Sequence, residues 1–181
     1  AAVLTGAPGY SRTSEGSIVF HNQAFLIDPS GTVQGVYGKQ HLVPFGEYIP
    51  FGRYVPWVHK LVQGVGEFRA GSRSSPLPHK ALAMGMLICY EIIFPGLVQK
   101  RVADGADILV NISNDAWFGR SSGAWQHLNQ AVLRAVEQGR YLLRATNTGI
   151  SALIDSRGRI VAQSAWMRPD TIKTPRLRAV E

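Results

Sequence analysis

Apolar and polar residues alternate along residues 22–27, run into the turn Asp28-Pro29-Ser30-Gly31, and resume over residues 32–37. This pattern predicts a β-hairpin with ordinary turn chemistry. Leu153-Ile154-Asp155-Ser156-Arg157-Gly158 repeats the Leu-Ile-Asp-x-x-Gly pattern of residues 26–31, and residues 159–163 read as the returning strand of a second hairpin. Two such hairpins imply two sheets, or two ends of one sheet, and not a solenoid. Residues 81–89 are continuously apolar, with Gly85 in their midst, as expected of a strand buried on both faces. Pro95 then suits the first turn of a helix that Gly105 would end. Residues 108–111 read as another short buried strand. Ser121 or Ser122 can cap a helix with apolar positions Trp125, Leu128, Val132, Ala135 and Val136 and with Gly139 past its end. Residues 141–145 return as a strand. Strand, helix, strand, helix, strand in succession predicts a layered α/β core.

Residues 44–71 break this rhythm and are too long for an ordinary connection. Phe45, Tyr48, Phe51, Tyr54 and Trp57 recur every third residue, interleaved with Pro44, Pro50 and Pro56. A period of three suits neither an α-helix nor a strand, and predicts an extended polyproline-like run with its rings along one edge. Two readings stay open: a loop packed on the core by its aromatics, or an apolar lid over a site or against a bilayer interface.

Composition narrows the class. The 181 residues suffice for one domain with its own core, and 45% apolar against 17% charged residues is a globular balance. No stretch reaches the roughly 18 consecutive apolar residues of a membrane span. The start, Ala1-Ala2-Val3-Leu4-Thr5, lacks the features of a signal peptide and reads as mid-strand, so both ends are expected to be cuts. The net charge of +7 favours anionic partners, phospholipid surfaces included. The charges are scattered, however, and Arg168, Lys173, Arg176 and Arg178 fall in a tail, residues 168–181, that reads as poorly ordered. No motif interleaves aromatic and basic residues for nucleic acid. The single cysteine excludes an internal disulfide and a cysteine-rich metal site.

That cysteine, Cys89, ends the buried apolar run and precedes Tyr90-Glu91 and the helix start at Pro95. A strand-to-helix turn exposes a side chain at the sheet edge and aims backbone N–H groups at an anion. A thiol placed there is activated by its neighbours and the local dipole, although the position also fits a buried structural cysteine. Lys39 directly follows the second strand of the first hairpin. Beside a thiolate a lysine stabilises both the sulfur anion and an oxyanion; taken alone it reads as a surface lysine. Glu47 and Glu91 lie close in sequence to these two and suit general-base work or orientation of the lysine. Glu47 is set in an otherwise apolar, aromatic segment, and Glu137 reads as a salt-bridge partner near a helix end. His21, His41, His59, His79 and His127 are each isolated, without metal-ligand spacing. No Gly-x-Ser-x-Gly elbow supports Ser/His/Asp catalysis.

The segments Gly38-Lys39-Gln40-His41-Leu42-Val43-Pro44-Phe45-Gly46-Glu47, Ile88-Cys89-Tyr90-Glu91, Asn114-Asp115-Ala116-Trp117-Phe118-Gly119 and Arg144-Ala145-Thr146-Asn147-Thr148-Gly149-Ile150-Ser151 resemble the nitrilase (carbon–nitrogen hydrolase) superfamily. Nearly the whole chain is covered. The run from His41 to Pro50, the long insertion ending Gly66-Glu67-Phe68-Arg69-Ala70-Gly71 and the Cys-Tyr-Glu triplet resemble its apolipoprotein N-acyltransferase branch. Soluble amidases of the superfamily more often carry Cys-Tyr-Asp and a shorter connection after the lysine.

The resemblance implies a four-layer α-β-β-α sandwich, truncated at both ends, with residues 1–181 as a partial catalytic domain and 44–71 as a lid-like insertion. It implies a Glu-Lys-Cys triad with Cys89 as nucleophile and Lys39 as its cationic partner. The Tyr90 N–H would serve the oxyanion, with Glu47 and Glu91 in support, and Phe45, Tyr48, Phe51, Tyr54, Trp57, Trp117 and Phe118 facing substrate. The triad glutamate belongs upstream of the lysine. Glu15, the only acidic residue before Asp28, does not match its motif, so the isolated chain is expected to be inactive. The implied reaction moves a fatty acyl chain from a phospholipid to the N-terminal amine of a diacylglyceryl-cysteine lipoprotein, with no metal or organic cofactor. The implied location is the bacterial inner membrane, with the catalytic domain facing the periplasm. A soluble nitrilase-type amidase and a non-catalytic nitrilase-like module are the alternatives.

Overall fold

In the computed structural model of the chain, which describes residues 1–50, 68–72 and 75–173, the two hairpins fall in different compact units, Ala1–Arg73 and Ser74–Glu181. The first unit holds a three-stranded antiparallel sheet in sequence order, β1 (Val3–Arg12), β2 (Ile18–Ile27) and β3 (Val33–Gly38). Asp28 makes its turn: Oδ1 accepts the Ser30 and Thr32 amides at 2.8 and 2.9 Å, and Gly31 takes the left-handed φ of 86° that the turn demands. Bonds from the Ser30 hydroxyl and the Thr32 amide hold the Asp28 carboxyl down at about 2. β1 carries Pro8 and is largely exposed, as suits the edge of this sheet.

The second unit is a six-stranded sheet, again in sequence order: β4 (Leu77–His79), β5 (Leu82–Ile88), β6 (Ile108–Asn114), β7 (Leu142–Asn147), β8 (Ala152–Ile154) and β9 (Ile160–Gln163). β5, β6 and β7 pair in parallel, joined by helices α1 (Pro95–Ala103) and α2 (Gly123–Gln138); the outer pairings are antiparallel. The predicted strand-helix alternation is therefore this parallel core. Met84 to Ile88 are all buried, which is why β5 reads as an unbroken apolar run. The second hairpin repeats the amide-to-aspartate bonds of the first. Asp155 Oδ1 accepts the amides two and four residues on, Arg157 and Arg159, both at 2.9 Å, and Gly158 has φ 80°.

Leu87, Ile92, Val98, Leu109, Leu128, Ala131, Ala135, Leu142 and Ile154 form the main cluster of the second unit. Each fully buried leucine or isoleucine there contributes about 1.5–3 kcal/mol. The inward face of α2 differs from the expected stripe. Leu128 and Ala135 are buried and Val132 packs partly, but Trp125 and Val136 are exposed, and His127 and Arg134 are buried in their place. Arg134 ties α2 to the Ile93 carbonyl at 3.2 Å and pairs with Glu137 of the same helix at 2.6 Å. Polar anchoring, invisible to an apolar count, shares that face.

Residues 44–48 also correct an expectation. Phe45 has φ 60°, its N–H donates to the Tyr48 carbonyl at 2.7 Å, and Pro44 bridges Tyr48. This is a tight turn, and its left-handed φ is incompatible with the negative φ of a polyproline run. Phe51, Tyr54 and Trp57 lie outside the described residues, as do residues 174–181 of the predicted tail; residues 168–173 form no helix or strand.

Candidate active-site residues

Lys39 follows β3 and is not a solvated surface lysine: it is 1% exposed. Its amide donates to the Asn22 carbonyl on β2 at 2.8 Å, and its carbonyl accepts from Gly71 at 2.8 Å, so hairpin and return segment fix its backbone. Its Nζ meets Glu47 Oε2 at 2.7 Å. Glu47 is itself braced, accepting the Val43 amide on Oε2 and Asn22 Nδ2 on Oε1, each at 2.8 Å. Asn22 thus holds both members of the pair, one through its backbone and one through its side chain. An ion pair taken largely out of water is tolerated when further hydrogen bonds serve its carboxylate, as Val43 and Asn22 do here.

Cys89 leaves the end of β5 with φ 52°, a left-handed conformation that costs a side-chain-bearing residue about 1–2 kcal/mol. The five-residue 3-10 helix Cys89–Ile93 starts there, and α1 follows from Pro95. Cys89 is half-buried and Tyr90 is exposed, with the Tyr90 ring edge-on to Phe94. Glu91, fully buried, reaches back to accept the Ile88 amide at 2.7 Å. Strain of this kind persists only where the surroundings hold it, and it concentrates at functional positions.

Around the Cys89 turn lies a buried polar cluster drawn from β6, the turn that follows β6, β7 and α2. The Cys89 carbonyl accepts from Asn111 Nδ2 at 3.3 Å, and His127 Nε2 lies 3.3 Å from the same oxygen. His127 Nδ1 is 3.0 Å from both Asp115 Oδ1 and Arg144 Nη2. Arg144 donates to Asp115 Oδ2 at 2.7 Å and to Asn111 Oδ1, and the Ser113 hydroxyl closes on Asp115 Oδ1 at 2.7 Å. Gly149 packs directly on Asp115, where a Cβ would come within 2.3 Å of Oδ2, so the fit admits no side chain there. Beyond Asp115, Trp117 is 80% exposed, while Phe118 sets its ring edge-on to His127.

Burial by itself would raise the Asp115 carboxyl, but the His127 hydrogen bond, the Arg144 charge and the Ser113 hydroxyl outweigh it and hold it below the usual 3.8. A carboxylate depressed in the folded state stabilises the fold above its unfolded value and loses that contribution as pH falls through the folded one. Thermal melts should therefore show the wild type more stable than Asp115→Asn at neutral pH, with the gap closing progressively below about pH 4. A gap of constant size across that range would contradict the assignment.

Asn111, Asp115, His127 and Arg144 were not assigned a role from the sequence. His127 looks isolated because its partners lie 12 and 17 residues away, on two other elements. The apolar stripe expected for α2 does not include His127, so periodicity gives no sign that it is buried. Among the described residues, no group of three or more His, Cys, Asp and Glu side chains is arranged to hold a metal ion, and no helix is long and apolar enough to cross a membrane.

Comparison with known proteins agrees with this layout. The apolipoprotein N-acyltransferase of Geobacter metallireducens is 47% identical over 157 residues, covering 87% of this chain and 30% of that protein. The Haemophilus influenzae protein of the same name is 44% identical over 145 residues, covering 79% and 27%. The chain thus spans about three-tenths of the length of these curated relatives. A carbon-nitrogen hydrolase from Helicobacter pylori superposes with a TM-score of 0.67 at 18% identity, over 90% of this chain and 58% of that one. Nit3 of Saccharomyces cerevisiae, a nitrilase-superfamily member, gives 0.64 at 19%, over 91% and 56%. At such identities the likeness shows the fold, the α/β sandwich of the nitrilase superfamily. The family model for carbon-nitrogen hydrolases matches residues 1–176, and the chain belongs to that family.

Proposed function

We propose that the chain is catalytic sequence of an apolipoprotein N-acyltransferase, moving a fatty acyl group from a phospholipid to the N-terminal amine of a diacylglyceryl-cysteine lipoprotein. The observation that carries this reading is the strained Cys89 turn, in a chain up to 47% identical to proteins of that name. In the proposed sequence, Cys89 Sγ attacks the ester carbonyl of the phospholipid. Lys39 and the Tyr90 N–H stabilise the tetrahedral oxyanion, as preorganised donors do best. The ester C–O bond breaks, the lysophospholipid leaves as an alcohol with a proton from the general acid, and a thioester remains on Cys89. The lipoprotein amine then attacks the thioester, its proton passes to the general base, and the thiolate is released as the amide forms. The family's upstream glutamate is the proposed proton carrier, with Glu47 holding Lys39 and Glu91 holding the Cys89 turn. Exposed rings at Phe45 and Trp117, with Tyr48 and Phe118 beside them, offer apolar surface to an acyl chain. The proposed setting is the bacterial inner membrane, on its periplasmic side.

The test is incubation of the full-length protein with phospholipid labelled in its acyl chain. Hydroxylamine-labile label should appear on the peptide containing Cys89, transfer to an added lipopeptide amine, and be absent from Cys89→Ser. Label that survives Cys89→Ser in hydroxylamine-labile form would overturn the nucleophile. Release of free fatty acid with no transfer to the amine would favour a hydrolase instead.

A further inference from the structure

We propose that His127 and Asn111 are positioning residues that fix the Cys89 turn by gripping its carbonyl oxygen. The inference rests on Cys89 being the reactive group. Two side-chain donors from different elements, α2 and β6, converge at 3.3 Å on the carbonyl of the one residue of the turn with a left-handed φ. A carbonyl oxygen only accepts, so the contact places a proton on His127 Nε2. Behind it, His127 Nδ1 lies 3.0 Å from both Asp115 Oδ1 and Arg144 Nη2 and pairs with one of them at a time, and Asn111 is pinned by Arg144 and by the Leu87 carbonyl at 3.2 Å. Neither donor is a loose surface group: His127 is 3% exposed and Asn111 fully buried. A strained φ relaxes unless the peptide that follows it is held, and here the held atom is the oxygen of that peptide. The cluster thus keeps the thiol presented at the sheet edge without touching it.

Two amide substitutions separate this role from plain packing. The amide nitrogen of His127→Gln can take the place of Nε2 and reach the Cys89 carbonyl. That of His127→Asn takes the place of Nδ1, donates to Asp115, and falls short of Cys89. The rate of iodoacetamide alkylation of Cys89 is measured in the full-length protein by mass spectrometry of its peptide, alongside kcat and KM for transfer. His127→Gln should alkylate within about twofold of wild type, and His127→Asn about tenfold slower, the effect of one lost hydrogen bond. Transfer should follow the same order in kcat with KM unchanged. Equal alkylation rates in the two variants, fast or slow, or the reverse order, would overturn the proposal. Should His127→Asn fail to fold, Asn111→Asp replaces it, turning the second donor into an acceptor: slowed alkylation supports the grip, and a wild-type rate overturns it. Alkylation needs no lipid, so the expected order of rates in a protein that forms no thioester would sink the acyltransferase reading alone.

Discussion

In the proposed transfer, Lys39→Ala of the full-length protein is expected to lower kcat by about 10²–10³-fold with little change in KM, the scale of removing one preorganised oxyanion donor. A lysine 1% exposed, bonded to Glu47 at 2.7 Å and fixed through its own backbone by Asn22 and Gly71, undergoes little reorganisation when charge develops nearby. Water would have to reorient to supply the same stabilisation. The alanine variant also leaves Glu47 with the Asn22 and Val43 donors but without its cation. Some loss of stability should accompany the loss of rate, and Lys39→Met, which fills the volume, separates the two. Lys39→Arg should not restore activity, since a planar guanidinium cannot reproduce a compact ammonium in a closed site. Steady-state kinetics decide the matter: a variant altered only in KM would make Lys39 a substrate-binding group.

Arg144→Leu is expected to destabilise the protein by about 3–5 kcal/mol, the cost of leaving a buried charge unpaired. Arg144 faces Asp115 at 2.7 Å and also donates to Asn111, while Asp115 is 2% exposed. Removing the cation strands the carboxylate among His127, Ser113 and Gly149. Arg144→Leu with Asp115→Asn should recover a large part of the loss, because the stranded charge goes with its partner. Urea denaturation of the two single variants and the double variant checks this. A loss below about 1 kcal/mol in Arg144→Leu would place the pair with weakly coupled surface bridges.

The two hairpins show what local chemistry specifies. Asp and Gly three residues apart at residues 28–31 and again at 155–158 form the same turn, because Asp bonds amides two and four residues on and Gly supplies the positive φ. The unbroken apolar run of β5, Pro95 in the first turn of α1 and Gly139 after α2 are equally local, and each gave its element within a residue or two. Lys39 and Cys89 each directly follow a strand that the pattern marks, β3 and β5, while Glu47 and Glu91 stand out as carboxylates close in sequence to them. The aromatic period of three misled at its start, since Phe45 and Tyr48 face each other across a turn closed by backbone bonds that side-chain spacing does not report.

The strand-helix-strand core, both helices and both hairpin turns were thus legible in the residues alone, since they follow from contacts a few residues long, whereas β4 and the full lengths of β1, β2 and β6 were not. Tertiary structure alone decided that Lys39 is buried, that Glu47 and Asn22 close on it, and that Asn111, Asp115, His127 and Arg144 gather beneath Cys89. Those partners are 8 to 38 residues apart along the chain. Parallel pairing of β5, β6 and β7 sets Asn111 beside Leu87 and Arg144 on neighbouring strands. There a buried polar group, costly when unpaired, finds partners that no periodicity in the sequence announces.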